Sequence, residues 1–280
     1  MGGEPPLSQV WSSVRNMDLE LAGRRAMVTG SSGGIGAAVA RRLVDEGCAV
    51  LVHGRDPARV GEVAERLRAV GGAVDIVLGD LADEAAAETV AERAREWGVQ
   101  ILVNNAGPFA EHDWETAEPA LWLDAVNGNV VSAVRMIRAL VPRMRERGWG
   151  RVVNVGSRAA TTPLPNMVEY SAAKAAVVNM TTSLARHLAG SGITANTVSP
   201  GVIVTDGMRQ MFEDGAAARG WPEQWTELEP LVVAEYAPNP TGRLGTAADI
   251  SAAVAFLASP SAGYINGIDL RVDGGIALVP

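Results

Sequence analysis

The sequence predicts an α/β protein in which one doubly wound parallel sheet of about seven strands carries helices on both faces. Three observations lead to this prediction. Short apolar runs alternate with longer stretches of helical periodicity from residue 24 onward. Clusters of glycine, asparagine and serine follow the apolar runs, and no proline-, serine- or glycine-rich linker divides the chain. We therefore expect a single domain over residues 17–280.

The elements alternate in order along the chain. The first strand is predicted in RRAMVTG, and the following helix in IGAAVARRLVDEG is ended by Gly47. After the strand CAVLVHGR, a helix begins with Asp56 as N-cap and Pro57 at the first helical position. Helices then separate the strands AVDIVLGD, VQILVNNAG, RVVNVGS, ITANTVSPG and IDLRVDGG. This is the order of a Rossmann-type domain, in which ligands bind beyond the carboxyl ends of the strands.

Two segments fall outside this alternation. Residues 1–16 contain no apolar stretch long enough for a signal peptide or a membrane span, and we expect them to form a flexible N-terminal extension. Residues 206–242 hold Trp221, Trp225 and four prolines, and are predicted to be irregular.

Composition limits the classes of partner. The net charge of −8 disfavours nucleic acid and anionic membranes and favours a small-molecule substrate. The single cysteine, Cys48, excludes an intrachain disulfide, and we expect it to be buried in a cytoplasmic protein. The three histidines, His53, His112 and His187, have no ligand-like spacing, so no metal is expected.

The glycine-rich segment TGSSGGIG, Thr29 to Gly36, lies between a predicted strand and a predicted helix. Here Gly30 permits a tight turn, Gly34 lets the backbone approach a pyrophosphate, and Gly36 lets the helix pack closely. Arg55 follows the second strand, at the position where dinucleotide-binding proteins distinguish a ribose with a free 2′-hydroxyl from one with a 2′-phosphate. Because a guanidinium suits a 2′-phosphate, the sequence favours NADP(H) over NAD(H).

The segment EYSAAKAAVV places Tyr170 and Lys174 four residues apart, on one face of a predicted helix. The ammonium is expected to lower the pKa of the phenol from its usual value near 10, which would make Tyr170 a usable acid. Ser157 ends the predicted strand RVVNVGS.

Together these motifs resemble those of the short-chain dehydrogenases/reductases, most closely the branch that includes 3-oxoacyl-acyl carrier protein reductases. The resemblance covers nearly all of residues 18–280. It rests on TGSSGGIG, NNAG, the separations of Ser157, Tyr170 and Lys174, and the later motifs SPG, GRLGTAADISAAVAFLAS and VDGG. Gly30, Gly33 and Gly36 also fit the GxxGxxG spacing of the longer epimerase branch, but the short chain and its ending argue against that branch.

The resemblance implies a catalytic tetrad. Tyr170 would be the proton donor, Lys174 would bind the nicotinamide ribose, and Ser157 would bond the substrate carbonyl oxygen. Asn129 would hold a water behind the lysine, and Asn127 is the alternative for this role.

The resemblance also implies a cofactor site. Its members would be Gly30, Ser32, Gly34, Ile35, Gly36, Arg55, Asp80, Leu81, Asn104, Ala106, Gly107, Tyr170, Lys174, Pro200, Gly201, Val202 and Thr205. One departure is Gly33, which stands where NADP-preferring relatives often carry a basic residue. Arg55 would then discriminate almost alone, so NAD(H) is kept as a second cofactor.

Residues 206–242 occupy the position of a mobile substrate lid in the family. The residues expected to contact substrate are Phe109, Met167, Met208, Phe212, Trp221 and Trp225. They suggest a mostly apolar ketone or alcohol, or an acyl thioester; the alternative is that the aromatic residues fill a subunit contact. The resemblance implies a homotetramer, or a homodimer.

We therefore expect an NADP(H)-dependent oxidoreductase that reduces a ketone or oxidises the corresponding alcohol. Two alternatives remain open at this point. One is an NAD-linked alcohol or hydroxysteroid-type dehydrogenase, and the other is a dinucleotide-sensing module without turnover.

Overall fold

The computed structural model describes residues 18–277, and the expected N-terminal extension lies outside them. The described chain contains a seven-stranded parallel sheet in the order β3-β2-β1-β4-β5-β6-β9, and a two-stranded parallel pair, β7-β8. The seven strands of the main sheet match those predicted from the sequence. The strands are β1 Arg25–Val28, β2 Ala49–Gly54, β3 Val74–Leu78, β4 Ile101–Asn104, β5 Gly150–Val155, β6 Ile193–Pro200, β7 Ile203–Val204, β8 Gly245–Thr246 and β9 Asp269–Val272.

Helices cover both faces of this sheet, as predicted. Helices α1, α2 and α9 pack on one face, and α3, α5 and α6 on the other. Successive strand residues point to opposite faces, so Val28 joins the first core and Met27 the second. The α-helices are α1 Gly34–Asp45, α2 Pro57–Ala69, α3 Glu84–Trp97, α4 Pro119–Val126, α5 Ser132–Glu146, α6 Val168–His187, α7 Asp206–Gly215, α8 Trp225–Glu235 and α9 Ala247–Ala258.

Local signals place the first helices. The carboxylate of Asp56 accepts hydrogen bonds from the backbone N–H groups of Ala58 and Arg59, at 2.9 and 3.3 Å, and α2 begins at Pro57. Helix α1 ends two residues before Gly47, whose φ of 81° suits glycine. Cys48 lies directly before β2 and is buried, as expected.

The segment 206–242 is not irregular, contrary to the sequence prediction. It contains α7, a short 3₁₀ turn at Ala217–Arg219, and α8. Pro230 lies inside α8 and disguises this helix in the sequence. The two helices enclose their own apolar cluster, in which Phe212, Leu228 and Val232 are buried. This cluster is separate from the two cores of the sheet.

No helix within residues 18–277 is long and apolar enough to cross a membrane.

The separate cluster between α7 and α8 gives the first testable prediction. Leu228 is fully buried there, so Leu228→Ala should weaken this unit by ~2 to 5 kcal/mol through lost packing and a cavity. Amide hydrogen exchange should accelerate in α7 and α8 and stay unchanged in the main sheet. The matched control is Leu123→Ala on α4, where the side chain is 71% exposed. Equal loss of protection in the sheet would show that the cluster is not an independent unit.

Candidate active site

The loops that follow β1, β4, β5 and β6 meet at the carboxyl edge of the sheet and form a cleft. One part of the cleft, about 550 Å³, lies against Ser157 and Tyr170. A second part, about 420 Å³, lies against Gly30 and Arg55. Both parts are lined by Asn105 and Gly107, so they adjoin each other at these two residues.

The turn after β1 is fixed by glycines that leave no room for a side chain. Gly30 has φ of 64°, and a Cβ there would lie 2.9 Å from the Cα of Ala106. A Cβ on Gly36 would lie 2.4 Å from the carbonyl oxygen of Gly30. Helix α1 then begins without a side-chain cap and without an acidic residue in its first turn. Its free N–H groups therefore fit an anion such as a pyrophosphate.

Thr29 and Asn105 fasten this turn to the loop after β4. The hydroxyl of Thr29 accepts hydrogen bonds from the backbone N–H groups of Asn105 and Ala106, both at 3.0 Å. The side-chain amide of Asn105 donates to the carbonyl oxygens of Thr29 and Gly30, at 3.0 and 3.1 Å. Asn105 belongs to the NNAG motif but was absent from the predicted site, although it lines both parts of the cleft.

Asn104, the predicted member of the same motif, lies below the cleft and is not among its lining residues. Its side-chain amide donates to Asn154 Oδ1 at 2.8 Å, and Asn154 in turn donates to Thr181 Oγ1 at 2.8 Å. This chain of hydrogen bonds ties β4 to β5 and α6. The position of Asn104 is therefore that of a structural residue within the sheet.

His53 joins the glycine turn to the loop after β3. The backbone N–H of Gly30 donates to its Nδ1 at 3.1 Å, and its Nε2 lies 3.1 Å from the carbonyl oxygen of Gly79. This network assigns the proton to Nε2 of a neutral ring. Burial lowers the pKa of His53 to about 4, which keeps the ring neutral. The sequence indicated only that His53 is not a metal ligand, because its partners are distant in the chain.

Two arginines stand near the end of β2. Arg55 Nη1 lies 3.1 Å from Asp80 Oδ2, in a largely exposed ion pair. The backbone N–H of Ala82, followed by Arg55, lowers the pKa of Asp80. Arg59, from α2, places Nη2 2.9 Å from the position that a Cβ on Gly33 would take, and within residues 18–277 its guanidinium forms no ion pair. The guanidinium of Arg59 therefore lies beside Gly33, the position at which NADP-preferring relatives often carry a basic residue.

Ser157, Tyr170 and Lys174 line the same wall of the larger cavity. The hydroxyl of Ser157 accepts a hydrogen bond from the N–H of Ala159 at 3.1 Å, and it also bonds the hydroxyl of Tyr170. Lys174 is buried, donates to the carbonyl oxygen of Val155 at 2.9 Å, and places Nζ 5.6 Å from the centroid of the Tyr170 ring. The ring of Phe109 packs edge-on against Tyr170, with 5.5 Å between centroids.

The expectation that Lys174 lowers the pKa of Tyr170 is wrong. Burial raises the pKa of Tyr170, and the hydrogen bond with Ser157 opposes this only in part. Burial also lowers the pKa of Lys174 to about 8. Desolvation thus outweighs the proximity of the two groups, and Tyr170 is a neutral phenol that carries its proton at neutral pH.

Asn129 lies in a π-helical turn, Asn127–Val131, between α4 and α5. Its amide donates to the carbonyl oxygens of Ala125 and Pro108, at 3.0 and 3.1 Å. Its Oδ1 is buried without a partner among the described residues, and a Cβ on Gly107 would lie 2.2 Å from it. Such π turns are frequent at functional sites.

Asn127, the alternative to Asn129, is fully engaged on the other side of this turn. It donates to the carbonyl oxygen of Ala82 at 2.9 Å and accepts from Arg135 Nη1 at 3.0 Å. Of the two asparagines, Asn129 therefore has a buried acceptor without a partner among the described residues, and Asn127 does not.

Most of the remaining predicted cofactor residues line the cleft. In the smaller part these are Gly30, Ser32, Arg55, Asp80, Leu81, Ala106 and Gly107. In the larger part they are Ile35, Gly107, Tyr170, Lys174, Pro200, Gly201, Val202 and Thr205. The exceptions besides Asn104 are Gly34 and Gly36, which lie within the first turn of α1.

The predicted substrate residues separate into two groups. Phe109, Met167 and Met208 line the larger cavity. Phe212, Trp221 and Trp225 instead belong to the cluster between α7 and α8, which the unpredicted helices enclose. The cavity is also lined by three polar residues that the sequence interpretation did not select, Glu111, Arg158 and Tyr236.

Known proteins share this sequence pattern and this fold. The family model described as short chain dehydrogenase matches residues 24–216. A 3-oxoacyl-[acyl-carrier-protein] reductase FabG of Haemophilus influenzae is 37% identical over 260 residues, which make up 92% of this chain and 100% of that protein.

Two solved structures extend the likeness to three dimensions. The L-sorbose reductase from Gluconobacter frateurii, complexed with NADPH and L-sorbose, has a TM-score of 0.89 and 31% identity, and the match covers 94% of this chain and 100% of that one. A 3-oxoacyl (acyl-carrier-protein) reductase from Agrobacterium tumefaciens C58 with NADP bound has a TM-score of 0.82 and 33% identity, with 94% and 98% covered.

The second prediction concerns His53 and pH. An unfolded histidine takes up a proton near pH 6.5, whereas folded His53 does so only near pH 4. The unfolded state therefore binds more protons between these values, and the free energy of unfolding should fall as pH drops from 6.5 to 4, by up to about 3 kcal/mol from this group. Asp80 titrates below this window, because its pKa is lowered from 3.8.

Urea unfolding at a series of pH values will measure this pH dependence of the free energy of unfolding. In His53→Asn, which cannot titrate, the corresponding part of the pH dependence should be absent. His187→Asn, at the exposed end of α6, is the matched control and should keep the pH dependence of the wild type. Identical pH curves for wild type and His53→Asn would contradict the assignment of a neutral, buried ring.

Proposed function

The chain belongs to the short-chain dehydrogenase family, and from this premise we propose that it is an NADP(H)-dependent carbonyl reductase with Tyr170 as the acid. It would reduce a ketone, or oxidise the corresponding secondary alcohol. One observation carries the proposal: Ser157, Tyr170 and Lys174 line a cavity that adjoins, at Gly107, the part of the cleft formed by the glycine turn. A substrate and a dinucleotide can therefore meet at Tyr170.

The ionisation states support the reducing direction. The phenol of Tyr170 holds its proton because burial raises its pKa, and this is the form that can protonate a carbonyl oxygen. The hydroxyl of Ser157 accepts from the N–H of Ala159, which leaves its own proton to donate to Tyr170 or to a substrate oxygen. Both donors then stabilise the negative charge that develops on that oxygen.

Lys174 and Asn129 would assist the proton donor, Tyr170. The ammonium of Lys174 is fixed by the carbonyl oxygen of Val155 and lies close enough to the Tyr170 ring to stabilise the phenolate after proton transfer. The partnerless Oδ1 of Asn129 is a free acceptor that suits a bound water. These four residues are the proposed catalytic group.

The residues of the cleft fit a phosphorylated dinucleotide. The uncapped start of α1 suits the pyrophosphate, and Arg55 and Arg59 provide two guanidinium groups for a 2′-phosphate. When bound, the reduced nicotinamide supplies the hydride. NADPH or NADP is present in the L-sorbose reductase and the Agrobacterium reductase, which supports NADP(H) as the preferred cofactor; NAD(H) is the second choice because Arg55 is shared with Asp80.

The larger cavity favours a substrate that is mostly apolar around its carbonyl group. Phe109, Leu164, Met167, Met208 and Met211 provide apolar contacts. Met208 and Met211 come from α7, so we propose that the segment 206–242 is the substrate lid and excludes water during the reaction.

We further propose a homotetramer, or a homodimer, in the cytoplasm. Helices α5 and α6 present a surface groove with Ile137, Val141 and Leu184, which suits a subunit contact. The single cysteine, buried Cys48, is in keeping with a reducing compartment.

The third prediction tests the acid. Tyr170→Phe keeps the ring and its packing against Phe109 but removes the proton, so kcat should fall by ~10² to 10⁴-fold. The variant should still bind NADPH, as measured by fluorescence titration. Tyr264→Phe, at a fully exposed tyrosine, is the matched control and should keep full activity on the same ketone panel. Turnover that survives in Tyr170→Phe would overturn the proposed role, and a wild type that reduces no ketone would favour a sensing module.

The fourth prediction tests the choice of cofactor. Arg55→Ala and Arg59→Ala should each weaken NADPH binding roughly tenfold and leave NADH binding nearly unchanged, because each removes a positive charge that would bind the 2′-phosphate, which NADH lacks. Arg66→Ala is the matched control, since Arg66 lies on α2 like Arg59 but pairs with Glu62. Equal affinities for NADPH and NADH, unaffected by either substitution, would contradict the proposed preference.

A further inference from the structure

Arg158 is a cation beside the reacting groups that the proposed chemistry does not use. It follows Ser157 directly and begins the 3₁₀ turn Arg158–Ala160. Its side chain is half-buried and lines the larger cavity together with Ser157 and Tyr170. Within residues 18–277, its guanidinium has no hydrogen bond and no ion pair.

The charge of Arg158 is not balanced by its surroundings. Two cations, Arg158 and Lys174, and one carboxylate, Glu111, line the cavity. Lys174 is already bound to the carbonyl oxygen of Val155, whereas Glu111 is exposed and does not pair with Arg158. A half-buried cation is costly unless an anion or other acceptor meets it, and in a chain of net charge −8 a positive cavity wall is unexpected.

The fold does not require this side chain. The backbone carbonyl of Arg158 accepts from the N–H groups of Thr161 and Thr162, at 3.2 and 2.9 Å, and Ser157 caps the turn. The backbone is therefore held without the guanidinium, which is left to meet a ligand.

Tyr236 completes a polar end of the cavity. It follows α8, is 41% exposed, and packs edge-on against Phe212 with 5.2 Å between ring centroids. Burial and then Glu111 raise the pKa of Tyr236, and Arg158 acts in the opposite direction. The hydroxyl therefore stays protonated and can donate a hydrogen bond to an anion near Arg158.

We propose that the natural substrate is a keto acid, with its carbonyl at Ser157 and Tyr170 and its carboxylate at Arg158 and Tyr236. The apolar residues Phe109, Leu164 and Met167 would contact the short carbon chain that links the two groups. This inference rests on the proposed function. In the reaction the carbonyl carbon gains a hydride from NADPH and the oxygen gains the proton of Tyr170, giving a hydroxy acid and NADP⁺; the carboxylate is unchanged.

The test compares matched substrates. A homologous series of straight-chain keto acids, each with its methyl ester and a keto amine of the same length, is assayed with NADPH. For the best chain length, kcat/KM should be ~10- to 100-fold higher for the acid than for the ester. Arg158→Met should remove this preference and Arg158→Lys should keep part of it. The control is Arg41→Met on α1, where the arginine pairs with exposed Asp45, and it should behave as the wild type.

Failure of the inference can be told apart from failure of the proposed function. Reduction of acids and esters at equal rates, dependent on Tyr170, would overturn the keto acid and leave the carbonyl reductase in place. A preference for the keto amine would also overturn it and would point to Glu111. If nothing is reduced, the proposed function fails, and calorimetric titration of wild type and Arg158→Met with the same acid and ester still decides whether a carboxylate is bound at Arg158.

Discussion

The contact between Gly30 and Ala106 is the constraint on which the rest of the cleft depends. Only a hydrogen at the Gly30 Cα lets the turn after β1 touch the loop after β4, because a Cβ would lie within 2.9 Å of the Ala106 backbone. This contact lets the hydroxyl of Thr29 accept from two N–H groups of the second loop, and it places Gly30 where His53 and Asn105 can hold it. The glycine turn and the wall with Tyr170 are thereby set in two adjoining parts of the cleft.

Much of the fold could be predicted because its strongest signals are local. Strands buried on both faces are short apolar runs, and the cap at Asp56 is written in consecutive residues. The segment 206–242 could not be predicted in the same way, because Pro230 lies inside α8 and Phe212, Trp221 and Trp225 acquire their partners only when α7 and α8 pack. Aromatic residues that suggested a substrate surface therefore form a small core.

The candidate site, too, could be predicted only where its signals are local in the sequence. The separations of Ser157, Tyr170 and Lys174 are visible in the sequence, and the structure places their side chains on one cavity wall. The pKa of Tyr170 could not be read from spacing, since desolvation depends on everything that buries the ring. His53, Arg59 and Tyr236 were not selected for the same reason: their partners at Gly30, Gly33 and Phe212 are distant in the chain and meet only in the folded protein.

The π turn at Asn127–Val131 couples the chemistry of the cleft to the packing of the core. It contains one more residue than an ordinary turn of helix, so everything after it is rotated by about 100° relative to α4. Deleting one residue would restore a regular helix, but it would turn either Asn129 away from Gly107 or the apolar side of α5, with Met136 and Leu140, away from the sheet. Evolution can thus replace side chains here one at a time, but it cannot shorten this segment without changing both surfaces together.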